Sequence, residues 1–247
     1  MNRLLRAELR KVLGTPLTWW LLLGTAAIGV LGTIAPLIAM DGRPVDLLTD
    51  TQLRTALHGA AGGSVLVIVV GIVGMAGEWR YGQAAQAFLT SPRRWRVVLA
   101  KGVLQLGVGL GYGLVAALGS AVAAWIWYDR KGLTLPVERP AVWLTLLGCV
   151  AVAGLFGLLG VAVGAAVRRQ VPALVGTLAW LVLVEPALFA AVPAVSRWLP
   201  GVASLALRGQ PADDLLPPVT AAAVLLGTIT VALAVGLRMV ERDDVTS

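Results

Sequence analysis

Six apolar stretches dominate the sequence and set its fold class. They cover roughly residues 17–40, 57–76, 97–128, 141–167, 171–192 and 219–237. An α-helix rises about 1.5 Å per residue, so about 20 residues cross the ~30 Å hydrocarbon core of a bilayer. A membrane β-barrel would instead need short segments of alternating polarity. The pattern predicts an all-α polytopic membrane protein with six transmembrane helices, in which residues 1–247 form a single transmembrane domain.

The composition excludes a soluble domain. Apolar residues make up 58% of the chain and charged residues 13%, with a mean hydropathy of +0.84, whereas soluble domains average about 45–50% and about 25%. The net charge of +7 would suggest nucleic acid in a soluble protein. Here the arginines lie between the apolar stretches, where topology and lipid headgroups explain them. We therefore expect membrane lipids, and no nucleic acid, as partners of these charges.

The distribution of basic residues predicts the orientation. The N-terminus, residues 77–101, residues 168–170 and the tail hold 13 of the 20 lysines and arginines, and the other three loops hold 7. Loops rich in Lys and Arg stay on the cytoplasmic side of a membrane. Both termini and residues 77–101 are therefore expected in the cytoplasm.

Residues 1–16 have the pattern of an amphipathic helix that lies in the plane of the membrane. One side of the helix would be apolar, with Leu5, Leu9, Val12 and Leu13. The opposite side would be basic, with Arg3, Arg6 and Arg10, and Glu8 and Lys11 would lie at the boundary between the two sides. The alternative is the start of a signal peptide. The apolar stretch that follows is about twice a typical signal-peptide core and is not followed by a cleavage site, which favours the in-plane helix.

Glycines recur at helical spacing in the third apolar stretch. Gly107, Gly109, Gly111 and Gly113 form two interleaved G-x-x-x-G pairs. Glycine lets helix backbones approach closely, so these residues are candidates for helix packing or for a dimer contact. The alternative is that glycine is simply common in membrane helices.

Prolines break the chain after the fifth stretch. Glu185 is an acid within an apolar run, and Pro193 and Pro200 follow it in a sequence still rich in Ala, Val and Leu. Proline stops or kinks a helix, so residues 186–208 are predicted to form half-helices that re-enter the outer leaflet. Intramembrane acids are functional candidates, which makes Glu185, Pro193 and Pro200 candidates for a transport path or outer gate. The alternative is that backbone amides or Arg197 satisfy Glu185 as a boundary residue.

The chain lacks the motifs of a catalyst. It has no G-x-x-x-x-G-K-[ST] phosphate-binding loop, no nucleophile elbow and no zinc motif. His58 stands alone as a potential metal ligand, and a structural or pore-lining role is favoured. Cys149 lies within an apolar run, where a lone thiol is usually inert. We expect no catalytic, cofactor-binding or metal-binding residues in this chain.

Residues 77–96 have the pattern of a docking segment. Gln83–Leu89 is an uncharged, helix-compatible run that ends in Phe88 and Leu89, and Ser91-Pro92 is a typical helix start. A short helix with an exposed Phe88, held between two spans, suits insertion into a groove of a partner protein. The alternative is a loop held on lipid headgroups by its arginines.

The layout of this segment resembles the membrane subunits of ABC-2-type transporters, the six-helix permeases of ATP-binding-cassette exporters. The matching residues in the order Glu-aromatic-Arg-x-Gly … Leu-Thr-Ser-Pro-Arg-Arg … Ala-Lys are Glu78, Arg80, Gly82, Leu89, Pro92, Arg93 and Lys101. Gln83 departs from the threonine that the family often has there. The amphipathic N-terminus and the proline-broken segment resemble the family's elbow helix and outer half-helices, so the resemblance covers essentially the whole chain.

The resemblance implies a function as well as a fold. Glu78, Arg80, Gly82, Phe88, Leu89, Pro92 and Arg93 would form the coupling helix that contacts a cytoplasmic ABC ATPase subunit, which holds ATP and Mg. A second permease copy or a homologous permease would complete the transporter. This chain would not itself be an enzyme.

The cargo and the membrane are inferred from composition. The spans are mostly Ala, Val, Leu and Gly, which favours a hydrophobic or amphipathic cargo such as a drug, antibiotic or lipid. The abundance of Ala, Val, Arg and Gly favours a bacterial inner (plasma) membrane.

Two functions of other classes compete with transport. A membrane enzyme acting on lipid or prenyl substrates would lose ATP-independent turnover on alanine substitution of Glu185 or His58. A membrane anchor or immunity protein would form a stable complex without ATP-dependent flux.

Overall fold

The fold is an all-α helical bundle, as the apolar stretches predict. A computed structural model describes residues 2–39, 46–80 and 94–242. The structure is 86% helical, with no strand in the described ranges. Six helical segments are long and apolar enough to cross a membrane: Pro16–Ala39, Asp50–Gly77, Val97–Arg130, Pro140–Val167, Gln170–Ala191 and Pro218–Met239.

The described α-helices are numbered here in chain order. They are α1 (Asn2–Gly14), α2 (Pro16–Ala39), α3 (Asp50–Leu57), α4 (Ser64–Arg80), α5 (Arg94–Arg130), α6 (Pro140–Val167), α7 (Gln170–Ala179), α8 (Glu185–Ala191), α9 (Pro193–Ser196), α10 (Pro200–Leu207) and α11 (Pro218–Arg242). Short 3-10 helices occupy Asp46–Leu48 and His58–Ala61, and a π-helix occupies Trp180–Val184.

Helix α6 lies at the centre of the bundle. In the most apolar stretch of this helix 67% of the residues are buried inside the protein, compared with 22% in the corresponding stretches of α2 and α11. It packs against α4, α5 and α11, and its buried residues, such as Val142, Cys149, Val152 and Phe156, belong to the main core. A helix that is apolar on all sides is expected at the centre of a bundle rather than at its polar boundary.

The second span is broken where the sequence predicts one helix over 57–76. Helix α3 passes into the 3-10 turn His58–Ala61, and α4 starts afresh at Ser64. A Cβ atom at Gly59 or Gly63 would overlap the backbone of α2, at Gly32 and Thr25 respectively. The break is possible at membrane depth because it is buried against α2 rather than exposed to lipid.

The interleaved glycines of the third span divide into two faces. A Cβ atom at Gly109 would lie 2.5 Å from the Ala153 carbonyl oxygen of α6, and one at Gly113 would lie 2.8 Å from Val150 Cα. A Cβ at Gly107 or Gly111 would meet nothing within 4 Å. Of these four glycines, Gly109 and Gly113 therefore allow α5 and α6 to approach closely, whereas Gly107 and Gly111 do not contact α6.

These two faces allow a matched comparison of alanine substitutions. Gly109→Ala should lower the free energy of unfolding by about 1–3 kcal/mol, because the new methyl group overpacks the contact with α6. Gly111→Ala should leave it unchanged or raise it by up to about 1 kcal/mol, because alanine favours the helix. Thermal unfolding in detergent measures both; equal effects of the two substitutions would contradict the packing described.

Candidate functional site

The predicted coupling residues lie largely outside the described part of the chain. Gly82, Phe88, Leu89, Pro92 and Arg93 fall between α4 and α5, in residues 81–93. Glu78 and Arg80 belong to the last turns of α4, but the structure describes only their backbone and not their side chains. The assignment of this set to ATPase coupling therefore stays a prediction.

The structure does describe a buried ionic contact beside this segment. Lys101, in the second turn of α5, is 6% exposed. Its Nζ donates to Glu8 Oε2 of α1 at 2.6 Å and to the Gly74 carbonyl of α4 at 3.3 Å. Lys11 Nζ donates to the other oxygen, Glu8 Oε1, at 2.9 Å. One lysine thus joins the N-terminal helix to the second and third spans.

The electrostatics of this contact favour an ionised Glu8. Burial acts to raise the pKa of the Glu8 carboxyl, but the charge of Lys101 and hydrogen bonds from Lys101 and Lys11 outweigh burial and hold the pKa below its ordinary value. Removing one partner of a buried ion pair typically costs about 3–5 kcal/mol, because the other charge is left without compensation. The contact therefore resists separation of α1 from α5.

A cavity of about 390 Å³ lies at this end of the bundle. Its lining includes Glu8, Lys101, Gly77 and Gln170. The N-terminal helix, the start of the third span and the 168–170 loop therefore meet at one end. The basic-residue count predicts that these same regions share the cytoplasmic side.

Sequence reasoning missed the role of Glu8. It placed Glu8 at the boundary of the amphipathic helix, whereas the residue is 6% exposed and Leu9 and Leu13 of the apolar side are 38% and 46% exposed. Glu8 and Lys101 are 93 residues apart in the chain, so no local periodicity links them. The one available signal was Lys101 itself, a charge at the start of an apolar span.

At the opposite end of the bundle, the Glu185 side chain caps the N-terminus of the short helix α10. Its side chain is buried, at 1% exposure, and Oε2 accepts a hydrogen bond from the Val202 N–H of α10 at 3.0 Å. This is a backbone-amide partner, one of the alternatives that the sequence left open. Within the described residues, Arg197 forms no ion pair with Glu185.

Pro193 and Pro200 are the first residues of α9 and α10, where proline is well tolerated.

A π-helix precedes Glu185 and was not predicted. The Glu185 N–H donates to the carbonyl of Trp180, five residues earlier. The wider turn rotates the following residues relative to a regular α-helix, and such turns are frequent at functional sites. In the fifth span Leu181 and Glu185 face the interior, while Val182 and Leu183 are exposed.

His58 and Cys149 both have structural contacts. His58 Nδ1 lies 3.0 Å from the Arg54 carbonyl oxygen. The buried Cys149 thiol faces the carbonyl oxygens of Leu57 and His58, with the sulfur 3.8 Å and 3.6 Å away. No group of three or more potential metal ligands occurs among the residues that the structure describes.

The spanning helices define the chain as a multi-pass membrane protein. No protein-family model matches the sequence, and no curated protein matches it. Any finer assignment therefore depends on the chain's own residues and geometry.

Substitutions of Lys101 and Lys11 should distinguish the stability contribution of the buried contact to Glu8 from that of the exposed contact. Lys101→Met should lower the free energy of unfolding by about 3–5 kcal/mol, because Glu8 would lose its buried partner. Lys11→Met should cost less than about 1 kcal/mol, because Lys11 is 53% exposed. Thermal or denaturant unfolding in detergent is the measurement, and equal losses would refute the dominant role of Lys101.

The contact should also make stability depend on pH. Because the folded-state pKa of Glu8 is depressed below 4.5, its contribution is complete above that value and is lost as the pH falls below it. The stability difference between the wild type and Glu8→Gln should therefore be constant between about pH 5 and pH 8 and shrink at lower pH. A difference that grows on acidification would show that the pair is not ionised in the folded protein.

Proposed function

We propose that this chain is the transmembrane permease subunit of an ABC transporter. It exports a hydrophobic or amphipathic compound across a bacterial inner membrane, using ATP hydrolysed by a separate cytoplasmic subunit. ATP and Mg²⁺ bind in that partner and supply the energy of transport. The residues of this chain receive the partner's movement and pass it through the bundle.

The observation that carries the proposal is the position of Lys101. It lies five residues after the end of the predicted coupling segment 77–96 and ties α5 to α1 and α4. A force applied to the predicted coupling segment would therefore move the N-terminal helix and two spans together. An exposed docking loop without such a connection could not transmit movement.

The length of α5 supports the same interpretation. The helix is continuous over 37 residues, which corresponds to about 55 Å. Near its far end, the Tyr128 hydroxyl donates to the Leu47 carbonyl at 2.9 Å. A continuous helix anchored at both ends is suited to carry a displacement from the cytoplasmic side to the outer side.

An open groove on α5 suits the second permease copy. Gly107 and Gly111 line it together with Trp19 and Leu22 of α2, and its volume is about 610 Å³. The outer face of α5, including Val103, Leu114 and Leu118, is exposed in the single chain. In the proposed transporter this surface is shared between the permease partner and lipid chains.

The test is a substitution in the predicted coupling helix. Phe88→Asp should abolish co-purification of an ABC ATPase with the tagged chain from its native membranes and lower the associated ATPase activity at least about 30-fold, as expected for loss of a buried aromatic anchor. Val137→Asp is the matched control: Val137 is 53% exposed and lies in the loop before α6, at the opposite end.

The outcomes separate the competing functions. Loss with Phe88→Asp but not with Val137→Asp supports the permease. A complex that survives Phe88→Asp with unchanged ATPase activity contradicts the coupling assignment. Stable assembly without ATP-dependent flux in vesicles would favour the membrane anchor, and ATP-independent turnover lost on Glu185→Ala would favour the enzyme.

A further inference from the structure

The end of the bundle opposite to α1 contains a cavity whose wall includes one acidic and one basic side chain. It lies between the start of α4, the π-helix and α10, and its volume is about 350 Å³. Most of its wall is apolar, with Phe156 and Leu181 among the lining residues. Glu185 and Arg208 contribute the ionisable groups. Apolar pockets of this size with a few convergent polar groups are typical of ligand sites.

The acidic group is only half satisfied. Glu185 Oε2 accepts from the Val202 N–H, whereas Oε1 is buried and makes no hydrogen bond within the described residues. The Trp180 indole and the Gly201 amide are further donors close to the carboxyl group, but neither forms a hydrogen bond to Oε1. A buried carboxylate oxygen without a donor is costly, so this atom is suited to receive one from a ligand.

The basic group is also incompletely satisfied. The buried Nε of Arg208 has no hydrogen-bond partner in the described part of the chain, and Nη2 reaches Gln210 Oε1 only at 3.5 Å. His58 and the Cys149 thiol interact electrostatically with Arg208, and neither is an anion at neutral pH. Arg208 therefore lacks an anionic partner in the ranges that the structure describes.

The two charges face one cavity without pairing. The ion pairs within the described residues are Glu8 with Lys11, Glu8 with Lys101, and Asp50 with Arg139. Glu185 and Arg208 thus both line the cavity with no direct ion pair between them. A ligand with a single charge, or none, would leave at least one of them unmatched in an apolar wall.

The cavity is reached from the lipid-facing side of the bundle. Val182 and Pro186 belong to its wall and lie on the exposed side of the fifth span, with Val182 53% exposed. Gly201 makes room for the Glu185 carboxyl group, because a Cβ atom there would lie 2.5 Å from Glu185 Oε2. An amphiphile could place its polar end in the cavity and leave its apolar tail in the hydrocarbon.

We propose that this cavity binds a zwitterionic headgroup, with the ammonium group at Glu185 and the phosphate or carboxylate group at Arg208. The headgroup belongs either to a membrane phospholipid or to a soluble zwitterion of the same chemistry. The site is independent of the proposed transport function, because it depends only on the cavity and its two charges.

The test compares lipids with identical acyl chains in detergent-purified full-length protein. Native mass spectrometry should show at least fivefold greater retention of phosphatidylethanolamine than of phosphatidylglycerol, which lacks the ammonium group. Glu185→Gln should abolish this preference, and Arg208→Gln should lower retention of both lipids at least fivefold. The exposed residues Asp214 and Arg238 provide the charge-matched controls Asp214→Asn and Arg238→Gln, which should behave like the wild type.

A second arm identifies the source of the headgroup. Soluble O-phosphoethanolamine is added to delipidated protein, and the melting temperature is measured. Lipid preference without a thermal shift assigns the site to a phospholipid, and a thermal shift without lipid preference assigns it to a soluble zwitterion. Either result supports the site. Equal retention of the two lipids together with no thermal shift overturns the proposal. That comparison uses only the wild type, so it decides the question even if a variant fails to fold.

Discussion

A bilayer offers no water to exposed backbone groups, and this constraint organises the whole structure. Helices that face lipid must be continuous, and irregular backbone is stable only where protein covers it. Helix α5 follows the rule over its full length. The break at His58–Ala61 is buried against α2, and the segment after Glu185 packs against α6 and α11 and is capped by the Glu185 carboxylate. Breaks in the spans therefore occur where other parts of the chain compensate for them.

The two ends of the bundle use buried charge differently. At the end that holds α1, Lys101 is matched by Glu8 and by the Gly74 carbonyl, so the charge locks three elements together. At the other end, Glu185 and Arg208 face a common cavity without pairing. A matched buried pair favours rigidity, whereas unmatched charges favour a ligand. This difference supports a mechanical role for the first end and a binding role for the second.

The sequence predicts the features that depend on composition and period. Six spans, the N-terminal helix and the prolines at short-helix starts follow from local rules. The sequence could not predict that Glu8 is buried, because its partner is 93 residues away, or that Gly109 rather than Gly111 contacts α6, because both share one spacing. The π-helix before Glu185 was not predicted, although Pro186, which removes a backbone donor and disturbs the preceding turn, directly follows Glu185. The docking of Phe88 lies outside the described residues and stays a prediction.

The central claim is the proposal that the predicted coupling segment, residues 77–96, contacts an ABC ATPase, and site-specific cross-linking tests it without knowledge of the cargo. A photoreactive phenylalanine analogue replaces Phe88, or Val137 as the control, in the full chain in its native membranes. The account predicts an adduct at position 88 that contains an ABC ATPase, identified by mass spectrometry, and none at position 137. Adducts at position 88 that contain only lipid, or the same protein adduct at both positions, would contradict it.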